Sequence, residues 1–180
     1  MRTALLLPTF LVFVFPSAQL HAQEALTSAN LPDFLSRFEQ NFSFVEEAYT
    51  DLAKENLPLR DTQGQPLGRR PLEDRRGVIS ALRQSSPEVA AHPQSLVSVM
   101  KIVFQTEELA DDLFDLAQVA YDNDREELGR RLAAARQTME HNKDLLANYL
   151  LSLAAEKEER LKQLEMENAE LQLRVKPSTH

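Results

Sequence analysis

Glu108, Asp111, Asp112 and Asp115 stand at i, i+3, i+4 and i+7, a spacing that gathers four carboxylates on one side of a helix. Oxygen donors in that number suit a hard cation such as calcium or magnesium, so these four are the candidate metal ligands. The same segment carries Leu109, Leu113 and Leu116, roughly a quarter to a third of a turn away. That apolar line must face a core, which turns the carboxylates toward water. The basic stretch "RRPLEDRR", with Arg69, Arg70, Arg75 and Arg76, can then lie against them as a loose ion-pair network. The expectation is a charged outer face and no metal.

Histidine offers a second chemistry. His92 falls in a linker, His180 is the last residue, and His141 alone sits within a helical pattern. A di-iron bundle needs Glu-x-x-His pairs on inward faces, and neither these nor His21 has a Glu three residues earlier. A haem held by His141 and a Met of another helix needs a second placed axial ligand; the first helix supplies only aromatic side chains. No G-x-S-x-G, phosphate-binding G-x-x-x-x-G-K or H-E-x-x-H occurs. The chain has no cysteine, which removes thiolate zinc, covalent c-type haem and thiol catalysis. These observations point to a protein that is not an enzyme and holds no cofactor.

The N-terminus reads as a secretory signal peptide over residues 1–22: a short positive start, the apolar run "ALLLPTFLVFVF" and then "PSAQLHA". The run is too short for a membrane span, which needs about 20 apolar residues, so the membrane is met only during export. The expected location is periplasmic or secreted, with Gln23 as the mature start. The signal carries one Arg and no acid, so the net charge of −8 becomes −9 without it. A chain this acidic is a poor ligand for nucleic-acid phosphates.

Elements follow from the periodicity. The chain has four glycines, three of them at 64, 68 and 77, and no alternating β-branched run, so the class is all-α. Asn30 and Pro32 open a first helix whose stripe is Phe34, Phe38, Phe42, Val45, Tyr49 and Leu52. Residues 57–71 form a loop. A short second helix from Pro71 to Gln84 buries Leu72, Ile79 and Leu82, and "SSPEVAAHP" is a linker. A third helix, from about Pro93 to Tyr121, turns Val99, Ile102, Leu109, Leu113, Leu116 and Ala120 inward. "DND" (122–124) breaks the chain and caps the next helix.

That last helix runs from Glu126 to Lys176, about 50 residues and about 75 Å, and its partners are half as long. Leu128, Leu132, Ala135, Met139, Leu146 and Tyr149 pair it with the third helix, and the rest overhangs. Here Ala147, Ala154, Leu161, Asn168 and Val175 fall at one heptad position and Leu150, Lys157, Leu164 and Leu171 at the other. The segment "LEMENAEL", Leu164 to Leu171, resembles the dimerising zippers of basic-leucine-zipper proteins, which carry an Asn at such a position. The resemblance covers about 25 residues of one seam and implies a parallel two-stranded pair, with Asn168 setting register and Arg160 facing Glu165 of its partner. No basic DNA-reading helix precedes it.

The resulting expectation is a small antiparallel bundle of three to four helices (23–151), a coiled-coil extension (152–176) and a disordered tail (177–180). The interaction seam is Leu161, Leu164, Asn168, Leu171 and Val175. It serves an exported scaffold that pairs with itself, as a parallel homodimer, or with another helical protein. The competing expectations are a ligand-binding bundle (metal, haem or apolar molecule) and a helical chaperone whose exposed concavity is the Phe34, Phe38 and Phe42 stripe.

Overall fold

The computed structural model describes residues 25–54, 64 and 69–175. Among them the chain is all-helical: α1 (Leu31–Lys54), α2 (Arg69–Ala91), α3 (Leu96–Asp122) and α4 (Glu126–Val175). The expected signal peptide, the C-terminal tail 177–180 and most of the loop 57–71 lie outside the described residues.

The α1 stripe is buried over its whole length. The Phe34 and Phe38 rings stack with centroids 6.0 Å apart, and Phe42 meets Phe38 edge-on at 4.8 Å, both favourable ring arrangements. Asn30 acts differently from expectation. Its carbonyl accepts the first ladder bond, from Phe34 N (3.0 Å), but its side-chain Oδ1 accepts from Thr27 N (2.7 Å). The amide therefore closes the turn before the helix, and the first helical N–H, that of Leu31, donates to the Thr27 carbonyl (3.0 Å).

The second helix is longer than its sequence pattern suggests. It starts at Arg69 and continues through "SSPEV" to Ala91, with Pro87 inside it. Pro87 cannot donate to the ladder, yet Ser85, Ser86 and Val89 are buried against the bundle. Ser86 Oγ donates to the Leu82 carbonyl (3.0 Å), which keeps its own polar group satisfied. Tertiary burial thus overrides the local break signal. Gly77 sits exposed in mid-helix, and a Cβ there meets nothing within 4 Å. Gly77→Ala is therefore expected to raise stability by about 0.5–1 kcal/mol, read as a higher denaturation midpoint in urea; an unchanged midpoint contradicts a helical Gly77.

Helix α3 begins at Leu96, three residues later than Pro93, because Ser95 caps it: Ser98 N donates to Ser95 Oγ (3.3 Å). Its inward residues are buried as the periodicity requires. The α3–α4 corner has Asp124 at φ 59, a left-handed conformation that aspartate tolerates better than most residues. Arg125 N donates to the Ala120 carbonyl (2.8 Å) and Asp124 N to that of Tyr121 (3.1 Å), the paired bonds that close a helix C-terminus. The expected tripeptide thus ends α3, while Arg125 opens α4 by accepting from Gly129 N (2.9 Å). Gly129 matters here: a Cβ would come within 2.7 Å of the Tyr121 ring, which lies over the helix backbone.

Each helix packs on two others: α1 on α2 and α4, α3 on α2 and α4. The cross-contacts of α3 and α4 join Glu107 to Lys143 (3.6 Å), Phe114 to Arg136, and Tyr121 to the Gly129 backbone. One number falls as the other rises, so this pair runs in opposite directions. Tyr149 fastens the far end, where its Oη donates to the Pro93 carbonyl (2.8 Å) and accepts from Ser28 Oγ (3.0 Å).

Inside the bundle, Tyr49 Oη is buried with no hydrogen-bond partner. Burial, and next the nearby Asp112 charge, push its ionisation well above the usual tyrosine range, so it stays a neutral hydroxyl. An unpartnered buried hydroxyl costs more than it contributes. Tyr49→Phe is expected to leave stability unchanged or raise it by up to about 1 kcal/mol; a loss above that size in thermal melts would reveal a partner for the hydroxyl.

Candidate interaction surface

Helix α4 carries the principal surface. Its core-facing residues run Leu128, Leu132, Ala135, Met139, Leu146, Tyr149 and Leu153, and Leu153, only 4 % exposed, is the last of them. Every residue from 155 to 174 is exposed. The overhang therefore begins one turn after Leu150 and extends about 30 Å at ~1.5 Å per residue. It does not fold back on the bundle. Leu161, Leu164 and Leu171 stand 58 %, 45 % and 57 % exposed, on a helix that continues unbroken to Val175. The Val175 side chain lies outside the described residues. Asn168 is exposed between them, and Arg160 reaches Glu167 of its own helix at 3.9 Å.

The heptad traced back from Leu164 fails inside the bundle. Ala147, Leu150 and Ala154 are only partly buried, whereas the core positions are Leu146, Tyr149 and Leu153. From Leu153 the apolar line steps by four to Lys157 and by four again to Leu161 before alternating three and four. An insertion of this kind shifts register and locally relaxes supercoiling. It also has a directional consequence. Leu164 and Leu171 follow Leu153 by 11 and 18 residues, which is about 20° and about 0° around the helix. The exposed seam thus lies on the face of α4 that is covered by the other helices lower down.

A second apolar group sits close to the base of the overhang. Val97, Met100 and Phe104 share one side of α3, and Val97 and Phe104 are 71 % and 59 % exposed. Two other exposed aromatics are covered by cations: Arg136 lies 4.5 Å over Phe114 and Arg131 lies 5.3 Å over Phe44, contacts of modest strength.

The acidic quartet is an outer face. Glu108, Asp111 and Asp115 are exposed and Asp112 half-buried. Arg75 holds Asp112 at 3.0 Å and Asp115 at 3.6 Å, while Arg76 turns away to donate to Thr50 (3.3 Å). Burial raises the Asp112 carboxyl above the usual range, opposed by Arg75 and reinforced by Glu108, Asp115 and Asp111. Among the described residues no group of three or more His, Cys, Asp or Glu is placed to hold a metal. No described helix is long and apolar enough to cross a membrane.

Two further groups singled out in the sequence are placed as follows. His141 is exposed, on the side of α4 away from buried Met139 and Leu146, so it does not face a ligand within the core. The Phe34, Phe38 and Phe42 stripe is packed core. Between α1 and α4 a cleft of 420 Å³ is lined by Asn30, Asp33, Arg37, Asn41 and Asn142 beside Phe34 and Phe38; Asn142 Nδ2 in it is buried without a partner.

The chain thus falls in the class of all-helical bundle proteins with a projecting terminal helix. No family model, no curated protein and no solved structure matches it.

Proposed function

We propose that this chain is an exported helical scaffold, acting in the periplasm or outside the cell, that works by association through the α4 overhang and catalyses no reaction of its own. The bundle is read as up-down-up-down, and the overhang as a short coiled coil. One observation carries this: the core face of α4 continues past the bundle as Leu164 and Leu171, apolar and without a covering helix. Water contact along such a face is unfavourable at about 25 cal/mol per Å², and a helix supplied by another chain removes it. The export reading rests on the first 22 residues, and the absence of cysteine accords with a fold held by packing alone.

The test is light scattering coupled to size exclusion on the chain from Gln23, beside a truncation ending at Ala155. The full chain is expected as a dimer and the truncation as a folded monomer. Because residues 156–174 are exposed throughout, removing them is expected to change thermal stability of the diluted protein little. A full-length monomer that captures no partner with the overhang as bait contradicts the proposal.

A further inference from the structure

We infer that the overhang's occupant is a second copy running antiparallel, so that the two bundles stand at opposite ends of one long rod. The inference rests on the association reading above and names its geometry. The zipper-like sequence favours parallel pairing, but the fold opposes it. In a parallel pair the seams face each other, and each partner helix lies about 8–10 Å from α4 on its seam side. That side, followed down the helix, is where α1 and α3 already sit, because Leu164 and Leu171 share the azimuth of Leu153 and Leu161 and Asn168 lie only about 60–80° to one side of it. Two bundles would have to occupy the same space between two α4 helices.

Antiparallel overlap removes the conflict. Seam positions interleave when Leu161 faces the partner's Leu171 and Leu164 faces the partner's Asn168. The partner's own core face begins at its Leu153, which falls just past the end of α4. The exposed length and the length needed to keep the bundles apart are therefore the same. Leu96 lies level with about residue 154 of α4, by the run of α3–α4 contacts. The partner's last turn, with its partial negative charge, thus points at the N-terminus of α3, beside exposed Val97.

Charge works the other way. Antiparallel overlap sets Glu165 near the partner's Glu165, Glu167 near the partner's Glu167 and Arg160 near the partner's Arg174, whereas a parallel pair would match Arg160 with Glu165 twice. Exposed pairs of this sort contribute only tenths of a kcal/mol each, which cannot offset the overlap of two folded bundles. The like charges leave a signature: salt screens them, so association strengthens several-fold with rising ionic strength.

Small-angle scattering on the full chain reads the geometry directly. The antiparallel rod spans about 120 Å between the outer ends of the two α4 helices, and a parallel pair about 75 Å. With no native cysteine, a spin label at Ser152→Cys, an exposed position, reports alone; the antiparallel rod separates two labels by about 42 Å along the axis. A dimer with the short dimension, closely spaced labels and salt-weakened association overturns the antiparallel arrangement and leaves association standing. A monomer in every condition overturns both.

Discussion

Phe42→Ala lowers the unfolding free energy of the chain by about 3–5 kcal/mol, the usual cost of emptying a buried aromatic site. Phe42 is fully buried. It meets Phe38 edge-on and has Arg83 over its ring at 5.9 Å, so truncation removes a ring pair and opens a void in the middle of α1. A domain of this size has only about 5–15 kcal/mol in total, and no disulfide is present to compensate. The variant is therefore expected to sit near its folding midpoint at physiological temperature. Equilibrium urea denaturation measures this; a loss under about 1 kcal/mol would mean that α1 is not packed where its stripe indicates. Phe44, two residues on and half-exposed under Arg131, gives the contrast: its replacement removes one exposed cation–π contact, worth about 0.5–1 kcal/mol.

Those two phenylalanines show why much of the fold was legible. Where apolar residues recur at three and four steps, as from Phe34 to Leu52 and from Val99 to Ala120, the buried face follows from helix geometry alone, and burial agrees residue by residue. The pattern was less informative where local and tertiary preferences disagree. Ser85, Ser86 and Pro87 carry turn chemistry, but burial of their neighbour Val89 holds them in α2. Asn30 has cap chemistry, yet its amide is taken by Thr27 N. The acids of α3 were readable as an outer face because their spacing places them off the leucine line, and Arg75 does lie against them. The heptad numbered from Leu161 was misleading further up, where Leu146, Tyr149 and Leu153 are the buried positions. A seam numbered from one end carries no information about a one-residue shift of register further up, and only the burial of Leu153 in place of Ala154 locates the shift.

That shift also decides what Asn168 does. Asn168→Leu is expected to tighten association at least tenfold, about 1.4 kcal/mol or more, while broadening its stoichiometry. A polar amide within a helical seam weakens pairing and restricts the register and number of strands. In the antiparallel overlap each Asn168 faces the partner's Leu164, so the wild-type amide loses water without gaining an equivalent partner. A leucine there completes an apolar line from Leu161 to Leu171. The same line then fits shifted registers and additional strands nearly as well, because no position is left that penalises them. Concentration-dependent sedimentation of the variant beside the wild type measures both effects. Equal association strength and equal oligomer size in the two proteins would place Asn168 outside the interface. Any pairing of the overhang would then run through the off-seam apolar residues Met166 and Leu173, which are exposed on the opposite side of α4 and set no register of their own.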